Sequence, residues 1–197
     1  MQQIFHTTKT PEEYQQLGRD FPFPVPDHCP NPGCLVKVPM QRHGFYTRNV
    51  IARDFSGRIP IRRYYCKYCR KTLSYLPSFC LPYYQYTLGI IFAILCLIVA
   101  EGKSLRVALR ILKQLNLTPA HLQFYVRRFL DNQNRIKLGL RQLISNICLP
   151  PSGGEKKEGA RKILDIVAAG FPQIQTFSRR YYTQCKYSFM APLSTLF

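Results

Sequence analysis

Cys29-Pro-Asn-Pro-Gly-Cys34 and Cys66-Lys-Tyr-Cys69 decide how this chain is read. Each pair closes a tight turn able to present two thiolates to one metal ion, and four such sulfurs give Zn²⁺ the tetrahedral shell of its structural sites. A redox Cys-x-x-Cys pair belongs beside a βαβ pattern, which the flanking residues do not carry. Thirty-one residues separate the pairs, and they read as strands. Phe45, Thr47 and Asn49 alternate with Tyr46, Arg48 and Val50. Asp54-Phe-Ser-Gly57 then supplies turn chemistry, and Ile59 to Tyr65 returns. Lys71 to Leu76 reads as a third short strand. Knuckle, hairpin, knuckle, strand is the plan of a zinc ribbon, with Cys29, Cys34, Cys66 and Cys69 as expected ligands and Zn²⁺ as expected cofactor. His28, beside Cys29, is either a substitute ligand or a solvent-facing loop residue.

Composition bounds the partners. With 46% hydrophobic residues among 197, wholesale disorder is not expected. A net charge of +18 implies an extended anionic partner, nucleic acid before an anionic membrane surface. Met1 to Thr10 has no apolar signal core, so a cytoplasmic location is expected, and clustered cysteines there read as metal ligands rather than disulfides. Cys80, Cys96, Cys148 and Cys185 read as small buried hydrophobes.

The expected fold class is α+β, a small β zinc ribbon followed by an all-α domain containing a helix-turn-helix. Residues 1–27 read as an irregular lead-in, with a short helix at Pro11 to Leu17 and a stiff stretch from Phe21 to Pro26. The ribbon takes residues 28–80 and the helical domain 81–149. Leu88 to Ala100 is an unbroken apolar run of thirteen residues, short of the ~20 that span a bilayer. It reads as a buried part of a helix from Gln85 to Ala100. The alternative is a membrane-associated protein inserting residues 81–100, with Tyr83, Tyr84 and Tyr86 as an interfacial belt. Ser104 is placed to cap a second helix with Leu105, Ala108, Leu109 and Leu112 on one face. Thr118 is placed to cap a third, with Pro119 at its first position and Leu122, Val126, Phe129 and Leu130 facing inward. The turn Gln114 to Leu117 between them suits a helix-turn-helix at about 104–130. A fourth helix is expected from Arg135 to Ile147, then a linker over 150–162. A basic aromatic C-terminal segment over 163–197 follows, holding a short helix at Ile163 to Ala169.

Between His28 and Ala100 there are ten Lys or Arg and one acidic residue, Asp54. Arg48, Arg58, Arg62, Arg63, Lys67, Arg70 and Lys71 are candidate nucleic-acid contacts, interleaved with Tyr64, Tyr65 and Tyr68. On the third helix Gln123 and Arg127, with Ala120 and Phe124, fall opposite the apolar face and suit base edges in a major groove. His121 and Arg128 flank them. Lys103, Arg106 and Arg110 are placed to hold phosphates. The expected partner is double-stranded DNA. A rival partner is RNA or a single strand stacked on the three tyrosines. The ten acidic residues lie in expected loops, caps and linkers, and no GxSxG, Walker or HExxH motif occurs. A non-enzymatic protein is expected.

Arg62 to Phe79, in the pattern RRYxCxxCxxTxSxLPxF, resembles the zinc-ribbon modules at the front of insertion-sequence transposases and their short accessory proteins. The stretches Gly102 to Leu112 and Leu117 to Phe129 resemble the helix-turn-helix that accompanies such ribbons. The chain also looks like a small bacterial family known only as a domain of unknown function. The resemblance covers about residues 28–135. It implies a DNA-binding protein of a mobile element that acts in end recognition, self-repression or assistance to a separate transposase, and it is compatible with a homodimer. The chain departs from complete transposases in lacking the acidic RNase-H-like domain. Cys80 stands where an aliphatic residue is expected, and the first knuckle has four residues between its cysteines.

Overall fold

The computed structural model describes residues 1–151 and 154–193. The expected α+β class is found, a four-stranded sheet followed by helices. Strand β2 (Gln41–Ile51) and β3 (Ser56–Tyr65) form the hairpin, in register from Gln41 opposite Tyr65 to Ile51 opposite Ser56. A bulge between Arg42 and Gly44 interrupts the ladder, with Gly44 at φ 124°, a conformation that suits glycine. β4 (Thr72–Pro77) pairs antiparallel with β3, but only along Arg62–Tyr65. The first half of β3 therefore runs past the end of β4. Pro60 sits there, where a strand residue without an N–H leaves no ladder bond unmade.

The lead-in departs from the irregular segment expected. Gln2–Phe5 is strand β1, paired parallel to β4 with Ile4 opposite Leu76. Helix α1 (Pro11–Leu17) starts in a reciprocal Thr10–Glu13 capping box. It lies against the open stretch of β3, where Tyr14 Oη donates to the Pro60 carbonyl at 3.0 Å and Gln15 Nε2 to that of Arg58 at 3.3 Å. Phe21 and Phe23 follow, and with Phe5, Tyr14 and Phe79 they make one aromatic pile. Tyr14 is fully buried in it. The residues read as a lead-in thus supply much of the sheet's core.

The apolar run forms α2 (Leu88–Leu95), continued by a π-helical turn over Cys96–Ala100. Among the described residues no helix is long and apolar enough to cross a membrane. Leu88, Ile91, Ile94 and Leu95 are fully buried at the centre of the helical core. Helices α3 (Leu105–Ile111) and α4 (Pro119–Asp131) start at Ser104 and Thr118, whose side chains accept from the Val107 and His121 amides. The link between them spans residues 112–118, longer than the three- to four-residue turn of a helix-turn-helix. Helix α5 (Gln133–Leu143) stops short of the expected Ile147.

Two further differences lie beyond α5. Helix α6 covers Lys156–Gly170, so most of the expected linker at 150–162 is helical; Ser152 and Gly153 lie outside the described residues. Helix α7 (Ile174–Cys185) occupies the basic aromatic segment, whose last four residues, 194–197, also lie outside them. These helices bury Ile163, Leu164, Val167, Phe177 and Tyr181 in the same core as α2 and α4. Tyr84 Oη donates to the Met190 carbonyl, and Asn132 Nδ2 to that of Ala191 at 3.0 Å. The C-terminal segment is therefore part of the helical core.

Candidate metal centre and basic surface

The hairpin, the second knuckle and β4 bring all four cysteines to one end of the sheet. Their Sγ atoms lie within 4.8 Å of one another. Cys29 Sγ is 3.5 Å from Cys69 Sγ, and Cys34 Sγ is 3.8 Å from Cys66 Sγ. A zinc tetrahedron with bonds of ~2.3 Å has sulfur–sulfur edges of ~3.8 Å, so the donors stand close to ligating distance from a common centre. The same separations are far beyond the ~2.05 Å of a disulfide. Residues 29, 34, 66 and 69 therefore fit a metal such as zinc. His28 is exposed and outside the cluster.

Local backbone builds the site. The amides of Asn31, Val36 and Lys71, each two residues beyond a cysteine, donate to the sulfurs of Cys29, Cys34 and Cys69. The Cys34 amide closes the first knuckle on the Asn31 carbonyl at 2.9 Å, and the Cys66 amide bonds the Lys71 carbonyl at 3.0 Å. Arg70 turns the second knuckle with φ 56°. Lys71 Nζ reaches Asn31 Oδ1 at 3.3 Å and ties the two knuckles together. Beneath the sulfurs lie Met40, Tyr64 and Leu73, all buried.

The thiols are electrostatically unequal. Burial pushes Cys29 up to about 12, although the Asn31 amide opposes the shift. At Cys34 the Val36 amide pulls downward, but burial and the neighbouring thiols together hold it above the ordinary range. Burial opposes ionisation of Cys69 as well, yet the Lys71 amide and the thiols of Cys29 and Cys66 bring it down to about 7. Cys69 can therefore carry negative charge near neutrality while Cys29 and Cys34 keep their protons, and a metal binding at the cluster displaces those protons.

The candidate nucleic-acid residues divide into those packed or held against the protein and those that stay exposed. Arg48 is turned inward, its Nη2 donating to the carbonyls of Leu81 at 2.5 Å and Tyr84 at 2.6 Å. It anchors the segment between sheet and helices, which corrects its assignment as a phosphate contact. Arg62 is half-buried, with its guanidinium 4.5 Å from the Phe45 ring centroid. Arg63 is half-buried beside Thr72, and Arg128 lies over Phe124 at 5.5 Å. Tyr64 is fully buried, with its hydroxyl donating to the Pro24 carbonyl at 2.7 Å, so it offers no stacking face. Phe124, expected on the outer face of the third helix, is half-buried against Tyr84. His121 is exposed, but its Nδ1 accepts the Thr118 amide at 3.2 Å as part of a cap.

Arg58 on β3 and Lys67, Arg70 and Lys71 in the second knuckle are exposed, as are Lys103, Arg106, Arg110, Gln123 and Arg127 near and on α3 and α4. Among the described residues only two ion pairs form, Lys9–Glu13 and Lys162–Glu158. Cys80 is buried as expected, whereas Cys148 is exposed.

No curated protein and no solved structure matches the chain. One family does match part of it, over residues 29–105, a span that runs from the first cysteine through β2, β3, β4 and the buried helix to the start of α3. The four-cysteine cluster thus belongs to a stretch that matches the family described as Domain of unknown function (DUF6431).

Proposed function

We propose that the protein is a non-enzymatic, zinc-stabilised nucleic-acid-binding protein whose first partner is duplex DNA. One observation carries the reading. Of 28 Lys and Arg residues set against ten acidic ones, only two ion pairs form among the described residues, which leaves exposed cations on both the sheet and the α3–α4 region. Intramolecular pairing does not relieve this charge, and a polyanion would. Zinc, held by Cys29, Cys34, Cys66 and Cys69, would supply a structural cross-link that fixes the knuckles and the cations they carry. The likeness of Arg62 to Phe79 to insertion-sequence ribbons supports a role beside a separate transposase. Inverted repeats and a transposase frame flanking the coding sequence would test that role.

Binding is tested by fluorescence anisotropy with a labelled duplex between about 50 and 200 mM salt. Contact with several phosphates predicts a log–log slope of several units. A flat profile, or no binding at the lowest salt, refutes the proposal.

A further inference from the structure

A cleft of about 180 Å³ opens beside the second knuckle, lined by Val38, Pro39, Gln41, Tyr65, Cys66, Lys67 and Tyr68. It is well below the roughly 300–1,000 Å³ of pockets for drug-sized ligands, a size suited to one planar ring system. Its lining is also specific in kind. Tyr68 is half exposed, with Lys67 Nζ 5.3 Å from its ring centroid. Tyr65 is braced by His43, their ring centroids 5.4 Å apart and the planes inclined by 31°. Gln41 adds an amide that both donates and accepts, and Val38 and Pro39 add apolar surface.

Charge identifies the occupant. From residue 29 to 53 there is no acidic residue, and Arg42, Lys67, Arg70 and Lys71 are exposed around the cleft's own strand and knuckle. Two aromatic rings and an amide within a field of cations match a nucleobase joined to phosphates. A base held within a duplex presents only its edge, whereas stacking needs its face, so the cleft requires an unpaired base.

We infer that this cleft receives a single unpaired nucleobase, so that the knuckle reads a junction between duplex and single strand. The inference rests on the proposed nucleic-acid binding and adds a site to it. The knuckle fixes the cleft because Cys66 bears Tyr65 and Lys67 on either side and Tyr68 immediately precedes Cys69. Metal ligation and base stacking would then be coupled through the same five residues, Tyr65 to Cys69.

The test compares three labelled DNAs with the zinc-loaded protein: a blunt duplex, the same duplex with a three-nucleotide overhang, and that overhang made abasic. The overhang should raise affinity about tenfold through stacking, and the abasic overhang should lose the gain. Tyr68→Ala should abolish the gain while keeping its zinc and its affinity for the blunt duplex, and Tyr68→Phe should restore the gain. Gln41→Ala, on β2 and away from the metal, provides a second variant that should reduce it. Equal affinity of the wild type for all three DNAs overturns the cleft assignment but leaves duplex binding standing. So does a gain that survives Tyr68→Ala. Failure to bind any of the three overturns both readings.

Discussion

Replacing Arg48 by Met separates a structural arginine from the cations around it. Methionine keeps the apolar stem but removes the guanidinium that holds the Leu81 and Tyr84 carbonyls at 2.5 and 2.6 Å. Each charge-assisted hydrogen bond contributes ~1.5–3 kcal/mol when protected from water, and partial exposure reduces this. Losing both should cost about 3 kcal/mol. In a chain of this length 1 kcal/mol moves the melting temperature by ~2–4 °C, so the zinc-loaded variant should melt ~6–12 °C lower. Arg58→Met is the contrast, because Arg58 is exposed and donates only to Thr47 Oγ1 at 2.8 Å. Its melting temperature should hold while duplex affinity falls. Thermal unfolding followed by circular dichroism, with duplex anisotropy measured well below the transition, reads both effects. An Arg48→Met protein that melts normally but loses duplex binding severalfold more than Arg58→Met would show that Arg48 faces the nucleic acid, contrary to the geometry described.

Cys66→Ser should lower zinc content and destabilise the sheet, since metal-binding free energy in such modules is folding free energy; unchanged stability in the presence of a chelator would remove the metal from the account. Zinc affinity should rise with pH across neutrality, because Cys29 and Cys34 are held above the ordinary thiol range and must give up protons to bind. Competition with a chelator at about pH 6 and about pH 8 measures this, and equal affinities would contradict it. Gly139→Ala places a methyl against the Tyr181 ring and 2.9 Å from Cys185 Sγ, so overpacking should cost ~1–3 kcal/mol in urea unfolding. An unshifted midpoint would mean that α7 does not seat on α5. Gln123→Ala and Arg127→Ala should each cost ~1–3 kcal/mol on a preferred duplex and much less on a scrambled one if α4 reads bases. Equal losses on both would limit the helix to phosphates.

The ribbon was legible because its signals are local. Cysteine spacing, the alternation from Phe45 to Val50 and the turn before Gly57 each act over a few residues. The caps at Ser104 and Thr118 were legible for the same reason, since the capping side chain and the amide it satisfies are three residues apart. Strand β1 was not, because Gln2-Gln-Ile-Phe5 is too short to show a period and its partner β4 lies some seventy residues away. The start of α6 was masked by Lys156-Lys-Glu-Gly159, an exposed first turn whose polar residues read equally well as linker. Phe177 and Tyr181 did carry the four-residue spacing of a helical face, overshadowed by the surrounding cations. Arg48 shows the limit of charge reading, since its partners are carbonyls 33 and 36 positions along the chain. The cleft between Tyr65 and Tyr68 likewise depends on Val38 and Pro39 being folded across from them.

The stretch of β3 beyond β4 has a consequence for how the chain avoids its own kind. Until α1 docks, the carbonyls of Arg58 and Pro60 form an unfilled sheet margin, where a strand from another molecule could add. Proline withholds the reciprocal N–H and the neighbouring arginine adds repulsion between copies, so the margin is a poor template during the interval before Tyr14 arrives. A variant with Pro60 and Arg58 replaced by ordinary strand formers should fold to the same sheet yet aggregate during refolding, a cost visible only on the way to the native state.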